Sequence, residues 1–255
     1  MAADAKLPPR PSRRTTPTLL VTADGSRTLH SSRYGESYHS VRGALTEARH
    51  VYLEASGVAA RLAAGRTTTV LEVGFGTGLN ALVTIAAAQA AGASLRYVSL
   101  ERELLSADVL AGLDYRSLFE DPSVADALVA RRRAYAQDSD ERVQVDLGGA
   151  RLEVIPGDAR HARLPRGVHA VYHDAFSPGV NPELWQAPFL TKLFDALEPA
   201  AALVSYTVQG ALRRRLAEIG FAVVKAPGPA RGKREMLIAR KSGGRARQPT
   251  VSTPS

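Results

Sequence analysis

The chain has 255 residues, 45% of them hydrophobic, a formal net charge of +8 and no cysteine. Without cysteine, disulfides, thiolate nucleophiles and zinc–thiolate sites are excluded. No apolar run reaches the roughly 20 residues of a membrane helix, and residues 1–20 lack a signal-peptide core, so we expect a cytoplasmic protein with no membrane segment.

The positive charge is concentrated at the two ends of the chain. Residues 1–20 carry a net +3 and residues 240–255 a net +4, which leaves about +1 for everything between them. Inside the chain, basic residues cluster at 131–133, 213–215 and 231–234. Such clusters suit nucleic-acid phosphates, but they are equally typical of solvated helix faces, so charge alone leaves both interpretations open.

The first predicted elements form an N-terminal extension. Residues 1–16 are rich in Pro and Arg and are predicted to be a disordered basic tail. Over residues 17–66 we predict a β-hairpin, 18–22 with 27–30, closed by Asp24-Gly25, and a helix over 43–54.

From residue 67 the pattern alternates between strands and helices, which is typical of a parallel sheet covered on both faces. Strands are predicted at 69–73, 95–100, 142–147, 151–155, 169–173, 202–206, 222–225 and 236–240, with 142–147 and 151–155 paired as a hairpin across Gly148-Gly149. Helical segments are predicted at 79–91 and 104–134, from residue 181 with a restart at Pro188, and at 209–218. The last two strands are joined by a short loop and must be antiparallel. We therefore predict an α/β, Rossmann-like fold over residues 67–241, with a mostly parallel seven-stranded sheet and an antiparallel last strand, followed by a disordered tail at 242–255.

The most informative motif lies at the end of the first strand of this sheet, where an acid precedes three glycines at alternate positions. Glycines allow the backbone to approach a ligand, and the helix that follows offers unpaired N–H groups. The Glu-x-Gly-x-Gly-x-Gly pattern resembles motif I of S-adenosylmethionine (SAM) methyltransferases more than the Gly-x-Gly-x-x-Gly of dinucleotide enzymes. A carboxylate suits an ammonium and a sulfonium better than a pyrophosphate. The predicted cofactor residues here are Glu72, Gly74, Phe75, Gly76, Thr77, Gly78 and Asn80.

Two later strand ends extend the predicted cofactor site. Glu101 follows the second strand, where a carboxylate can accept hydrogen bonds from both hydroxyls of a ribose, whether of SAM or of NAD. Gly157-Asp158-Ala159 follows the third parallel strand, where Asp158 can accept a hydrogen bond from the exocyclic amine of an adenine. Each motif alone is also compatible with a simple turn, and their order along the chain favours the nucleoside site.

A loop after the fourth parallel strand contains the predicted catalytic residue. It begins Asp174-Ala175-Phe176-Ser177-Pro178 and continues to Asn181-Pro182-Glu183-Leu184-Trp185. Amine-methylating enzymes often place an Asp/Asn-Pro-Pro-aromatic loop here, and this loop looks like a variant of it. Because methyl transfer needs a neutral amine with an aimed lone pair, we predict that Asp174 positions the amine and accepts its proton. The six histidines show no metal-ligand spacing and His173 is expected to be packed, so no metal is assigned.

Together these motifs resemble the methyltransferase domain of MnmC, the bifunctional bacterial enzyme that completes 5-methylaminomethyl-2-thiouridine in tRNA. The residues that carry the resemblance are Tyr38-His39-Ser40, Glu47-Ala48-Arg49-His50-Val51, the stretch from Gly74 to Asn80, the Asp174 loop and Lys233-Arg234-Glu235-Met236. The resemblance runs from about residue 38 to residue 240.

The resemblance implies N-methylation of 5-aminomethyl(-2-thio)uridine at the tRNA wobble position, by a stand-alone enzyme without an FAD-dependent oxidase domain. It implies tRNA, through its anticodon region, as partner, and a functional link to the enzymes that install the aminomethyl group; we expect a monomer. The implied substrate-binding residues are Tyr38, Ser40, Glu47, Arg49, Phe176, Ser177, Pro178, Lys233 and Arg234. The alternatives are a SAM enzyme for another RNA or a small amine, a nicotinamide-dependent reductase, and a non-catalytic RNA-binding module.

Overall fold

The N-terminal extension folds as a small antiparallel sheet followed by helical turns. The computed structural model describes residues 16–135, 142–230, 232 and 234–242, so the predicted tails lie almost wholly outside the described residues. Strands β1 (Thr18–Val21), β2 (Arg27–Ser31) and β3 (Glu36–Ser37) pair in that order. The predicted hairpin is thus confirmed, with Gly25 at a φ of +83° in its turn.

The helix predicted over 43–54 has a different geometry from the one expected. Only α1 (Ala44–Glu47) is an α-helix, and Ala48–Glu54 continues as a π-helix before α2 (Val58–Ala63) begins. The N–H of Ala55 donates to the carbonyl of His50, five residues earlier, at 3.2 Å. The predicted helical segment is therefore confirmed, and its second half is π-helical rather than α-helical.

The main sheet has eight strands in the order β10-β11-β9-β8-β4-β5-β7-β6. In chain order they are β4 (Thr68–Val73), β5 (Leu95–Glu101), β6 (Val143–Leu147), β7 (Ala150–Pro156), β8 (Val168–His173), β9 (Leu197–Ser205), β10 (Phe221–Pro227) and β11 (Glu235–Lys241). The last strand, β11, is antiparallel to both its neighbours, as predicted. The expected count of seven is one short, because β6 pairs with β7 and becomes an eighth, antiparallel strand at the edge.

Helices cover both faces of this sheet. They are α3 (Leu79–Ala90), α4 (Ala107–Gly112), α5 (Ser123–Ala134), α6 (Ala187–Ala196) and α7 (Gly210–Ile219), with 3₁₀ turns at Tyr115–Leu118 and Pro182–Trp185. Successive strand residues point to opposite faces, so Val70 packs under α3 and the extension, whereas Leu71 packs under α6 and α7. The α/β fold predicted from the alternating pattern is confirmed.

The topology brings four loops to one edge of the sheet. Strands β8, β4, β5 and β7 are neighbours and parallel, so their carboxyl ends lie side by side. The residues that follow or end them are Asp174, Gly74, Glu101 and Gly157. A division of the chain at residue 66 stays a prediction. Within the described residues, no helix combines the length and the apolar character needed to cross a bilayer.

Candidate functional site

A cavity of about 660 Å³ opens between the N-terminal extension and this edge of the sheet. Its volume is in the range of sites for cofactors and drug-sized ligands. It gathers residues from each of the predicted motifs, which are far apart in sequence. The predicted site residues that line it are Tyr38, Ser40, Glu47, Gly74, Phe75, Gly76, Glu101, Gly157, Asp158, Ala159, Asp174, Phe176, Ser177 and Arg234.

The glycine turn after β4 leaves the floor of the cavity bare. Gly74 has a φ of +93°, and a Cβ on it would stand 2.7 Å from the backbone oxygen of Asp174. Gly76 has a φ of +53°, and its Cβ would stand 3.0 Å from Cδ1 of Tyr38. Side chains are thus excluded at both positions, which leaves backbone for a ligand to approach.

Glu101 is fixed at the end of β5 by two backbone donors. The N–H of Gly76 donates to its Oε2 at 2.9 Å, and the N–H of Glu103 donates to its Oε1 at 2.8 Å. Burial raises the pKa of Glu101, while these hydrogen bonds favour its charged form. The carboxylate is therefore held in one orientation at the cavity wall.

Asp158, after β7, has a different electrostatic environment. The guanidinium of Arg160 donates to both its carboxylate oxygens, at 2.6 Å to Oδ2 and 3.0 Å to Oδ1. These hydrogen bonds lower the pKa of Asp158 to about 2. Asp158 is thus ionised at neutral pH and can still accept a further hydrogen bond.

Glu72 lies behind the cavity wall and does not line it. It is fully buried and accepts hydrogen bonds from Ser99 Oγ at 2.7 Å and Asn80 Nδ2 at 3.0 Å. Burial raises the pKa of Glu72 to about 8. The same Asn80 Nδ2 donates to Asp174 Oδ2 at 2.8 Å, so Asn80 links the acid of the glycine motif to the acid of the β8 loop.

Asp174 is held through both of its carboxylate oxygens. Asn80 donates to Oδ2, and the buried hydroxyl of Tyr52 donates to Oδ1 in a short hydrogen bond. Burial raises the pKa of Asp174 well above its ordinary value, and the nearby Glu47 raises it further. Tyr52 is a site residue that the sequence does not predict, because nothing local to residue 52 indicates contact with a residue 122 positions later.

The Asp174 loop is clamped against the extension. Phe176 stacks on Tyr34 with ring centroids 4.4 Å apart and meets Tyr38 edge-on at 5.2 Å. Ser177 donates its N–H and its hydroxyl to the two carboxylate oxygens of Glu36. Trp185 donates its indole N–H to the carbonyl of Phe176 at 2.9 Å, which anchors the loop from the opposite side.

Several predicted site residues do not reach the cavity. Thr77 is buried and accepts a hydrogen bond from the Tyr115 hydroxyl at 2.8 Å, and Arg49 is exposed on the π-helix. Gly78 and Pro178 are not part of the lining, and Lys233 lies outside the described residues.

The cavity is also lined by residues that were not predicted from the sequence, among them Tyr34, Glu36, Arg42, Arg102 and Tyr206. His173 is packed as expected, stacked on Trp185 at 4.1 Å.

The described part of the cavity wall is acidic. Its carboxylates are those of Glu36, Glu47, Glu101, Glu103, Asp158, Asp174 and Glu183, against the guanidinium groups of Arg42, Arg102 and Arg234. An excess of carboxylates favours a cationic ligand. Among the described residues, no three His, Asp or Glu side chains are grouped to hold a metal ion.

Comparisons with known proteins agree with this geometry. A family model described as S-adenosyl-L-methionine-dependent methyltransferase matches residues 123–242. The chain carries a SAM-dependent methyltransferase domain. The bare glycine turn and the acidic wall fit that cofactor, whose sulfonium and ammonium groups are cationic, so the predicted class of enzyme and cofactor is confirmed.

Proteins named as bifunctional MnmC, for tRNA 5-methylaminomethyl-2-thiouridine biosynthesis, are similar to most of this methyltransferase chain. The one from Ralstonia nicotianae is 36% identical over 220 residues, which is 83% of this chain and 33% of the relative. The one from Aromatoleum aromaticum is 37% identical over 227 residues, which is 87% of this chain and 35% of the relative. The chain thus spans about a third of the length of these relatives.

A solved structure supports the same likeness. The crystal structure of MNMC2 from Aquifex aeolicus matches with a TM-score of 0.72 and 26% identity, over 91% of this chain and 72% of that one. A match over 91% of the chain extends beyond the main sheet and its helices.

Proposed function

We propose that this methyltransferase N-methylates 5-aminomethyl(-2-thio)uridine at the tRNA wobble position and produces 5-methylaminomethyl(-2-thio)uridine. The similarity to proteins named for that nucleoside supports the proposal. The observation that carries it is the half-buried carboxyl of Asp174, which is held through both oxygens at the wall of the cavity beside the glycine turn. We also propose that the enzyme acts in the cytoplasm, where its tRNA partner lies.

The cofactor would lie along the carboxyl ends of β4, β5 and β7. SAM supplies an electrophilic methyl group on a sulfonium. Gly74 and Gly76 would leave room for its methionine part, Glu101 would accept hydrogen bonds from the ribose, and Asp158 would accept one from the adenine amine. The fixed orientation of Glu101 and the ionised state of Asp158 support these roles.

Asp174 would orient the substrate amine and accept its proton. An alkylamine is an ammonium ion at neutral pH, and it must lose a proton before its nitrogen lone pair can accept a methyl group. A general base works best when its pKa lies near the working pH. The burial that raises the pKa of Asp174 brings this carboxyl closer to that condition.

The uridine and the tRNA backbone would meet the outer part of the cavity. Phe176 lines the cavity together with Tyr34 and Tyr38, and this aromatic group would contact the uracil ring. Arg234 lies on the lining, and we propose that it contacts phosphate, as we propose for Lys233 from the sequence. Within the 213–215 cluster, Arg215 already donates to the Trp185 carbonyl at 2.6 Å, which leaves Arg214 as the exposed member.

A single substitution tests this function. The Asp174→Ala variant should bind SAM within a few-fold of the unsubstituted protein and lose methylation of tRNA that carries 5-aminomethyl groups. The assay is mass analysis of wobble nucleosides after incubation of the protein with SAM and tRNA from cells that lack this methylation. Asp195→Ala, at an exposed position of α6, is the matched control and should remain active. Unchanged turnover of the Asp174→Ala variant would remove Asp174 from its role.

A further inference from the structure

The phenol of Tyr52 is placed where it can act on the reacting carboxyl without touching a ligand. Tyr52 is fully buried, does not line the cavity, and donates its hydroxyl hydrogen bond to Asp174 Oδ1. We propose that Tyr52 is a positioning residue that fixes the orientation of Asp174 and keeps it able to accept the amine proton. This inference rests on the proposed role of Asp174 as the base.

The π-helix explains how Tyr52 reaches Asp174. In an α-helix, residues five apart lie about 140° apart around the axis, so Glu47 and Tyr52 could not face the same point. In π-helical geometry, the backbone hydrogen bonds join residues five apart, as in the bond from Ala55 to His50. Glu47 and Tyr52 therefore both face Asp174: the charge of Glu47 raises the pKa of Asp174, and the hydroxyl of Tyr52 donates a hydrogen bond to it. Such π-helical turns are frequent at functional sites.

The groups around Asp174 divide into two kinds. Glu47 from α1 and Glu72 from β4 raise the pKa of Asp174, while Asp174 in turn raises the pKa of the phenols of Tyr97, from β5, and Tyr206, after β9. The hydrogen bonds from Tyr52 and Asn80 lower the pKa of Asp174 against its burial. Loss of the Tyr52 hydroxyl should consequently raise the pKa of Asp174 and leave its Oδ1 without this donor.

The test is the pH dependence of a Tyr52→Phe variant, which keeps the ring and removes the hydroxyl. The acidic limb of the kcat profile should move to higher pH by about one unit, the effect expected of one hydrogen bond to a charged group. The KM for SAM should stay within about twofold, since Tyr52 does not line the cavity. The same shift should be seen directly when the Asp174 carboxyl is titrated by carbon-13 NMR, with the signal assigned from an Asp174→Asn variant.

Tyr172→Phe is the matched control. Tyr172 is also fully buried, and its ring lies 5.5 Å from that of Tyr52, but its hydroxyl faces Thr84 at 3.5 Å. Its removal should leave the profile and the Asp174 titration unchanged. A folded Tyr52→Phe protein with an unshifted Asp174 titration, or equal shifts in both variants, would overturn the inference. If the titration shifts but the unsubstituted protein does not methylate tRNA, the proposed function fails instead.

Discussion

The substitution Gly74→Ala tests how closely the glycine turn of β4 is fitted to the Asp174 loop. Its φ of +93° is strained for alanine, at a cost of about 1–2 kcal/mol. The new Cβ would also stand 2.7 Å from the Asp174 carbonyl, which cannot easily move because the Asp174 N–H donates to Val73 at 3.0 Å. Forcing the extra methyl group into this close contact destabilises the folded protein by a further ~1–3 kcal/mol. We expect a total loss of about 2–5 kcal/mol in the free energy of unfolding.

The hairpin glycine provides a matched control for this prediction. Gly25 has a similar φ of +83°, but nothing lies within 4 Å of the position of its Cβ. Gly25→Ala should therefore lower the free energy of unfolding through backbone strain alone, by about 1–2 kcal/mol. Urea denaturation of the two variants measures the difference, and calorimetry with SAM measures whether the displaced Asp174 loop also weakens binding. Equal losses of stability in both variants would refute the argument from close contact.

Two further predictions concern the acidic residues Glu72, behind the cavity wall, and Glu101, on it. Because the pKa of Glu72 is raised from its ordinary value of 4.5 to about 8, the folded chain keeps a proton that the unfolded chain releases between those pH values. The free energy of unfolding should fall with rising pH in this window, by up to about 1.4 kcal/mol per unit from this group, and Glu72→Gln should reduce that slope in urea denaturation at pH 5 to 8. Glu101→Gln should weaken SAM binding about tenfold by calorimetry, since one ribose acceptor is lost, whereas Glu120→Gln, at an exposed position outside the cavity lining, should bind normally. Equal affinity of the Glu101 and Glu120 variants would argue against the ribose contact.

The fold was largely predictable because its signals are local. The Asp24-Gly25 turn, the alternation of apolar runs with helices, and the short loop before β11 each restrict the chain within a few residues. The predicted hairpin of β6 and β7 across Gly148-Gly149 is also confirmed, although it adds one strand more than the seven expected.

The site was predictable where it follows strand ends. Glu101, Asp158 and Asp174 end or follow parallel neighbours, so the topology alone brings them together. Tyr52 and Tyr34 could not be found in this way, because their contacts with Asp174 and Phe176 depend on how the extension packs and on a π-helical turn. Conversely, Thr77 lies inside the glycine motif, but its hydroxyl is used by Tyr115 within the protein.

The clamp between the extension and the Asp174 loop means that the minimal catalytic unit is larger than the sheet. A protein trimmed to begin at residue 67 would retain every strand of the main sheet, yet it would lack Tyr52, Glu36 and Tyr34. Engineering this scaffold for other amines therefore requires residues 17–66 to be treated as part of the reaction chamber, and changes of specificity can be sought there as well as around the cofactor.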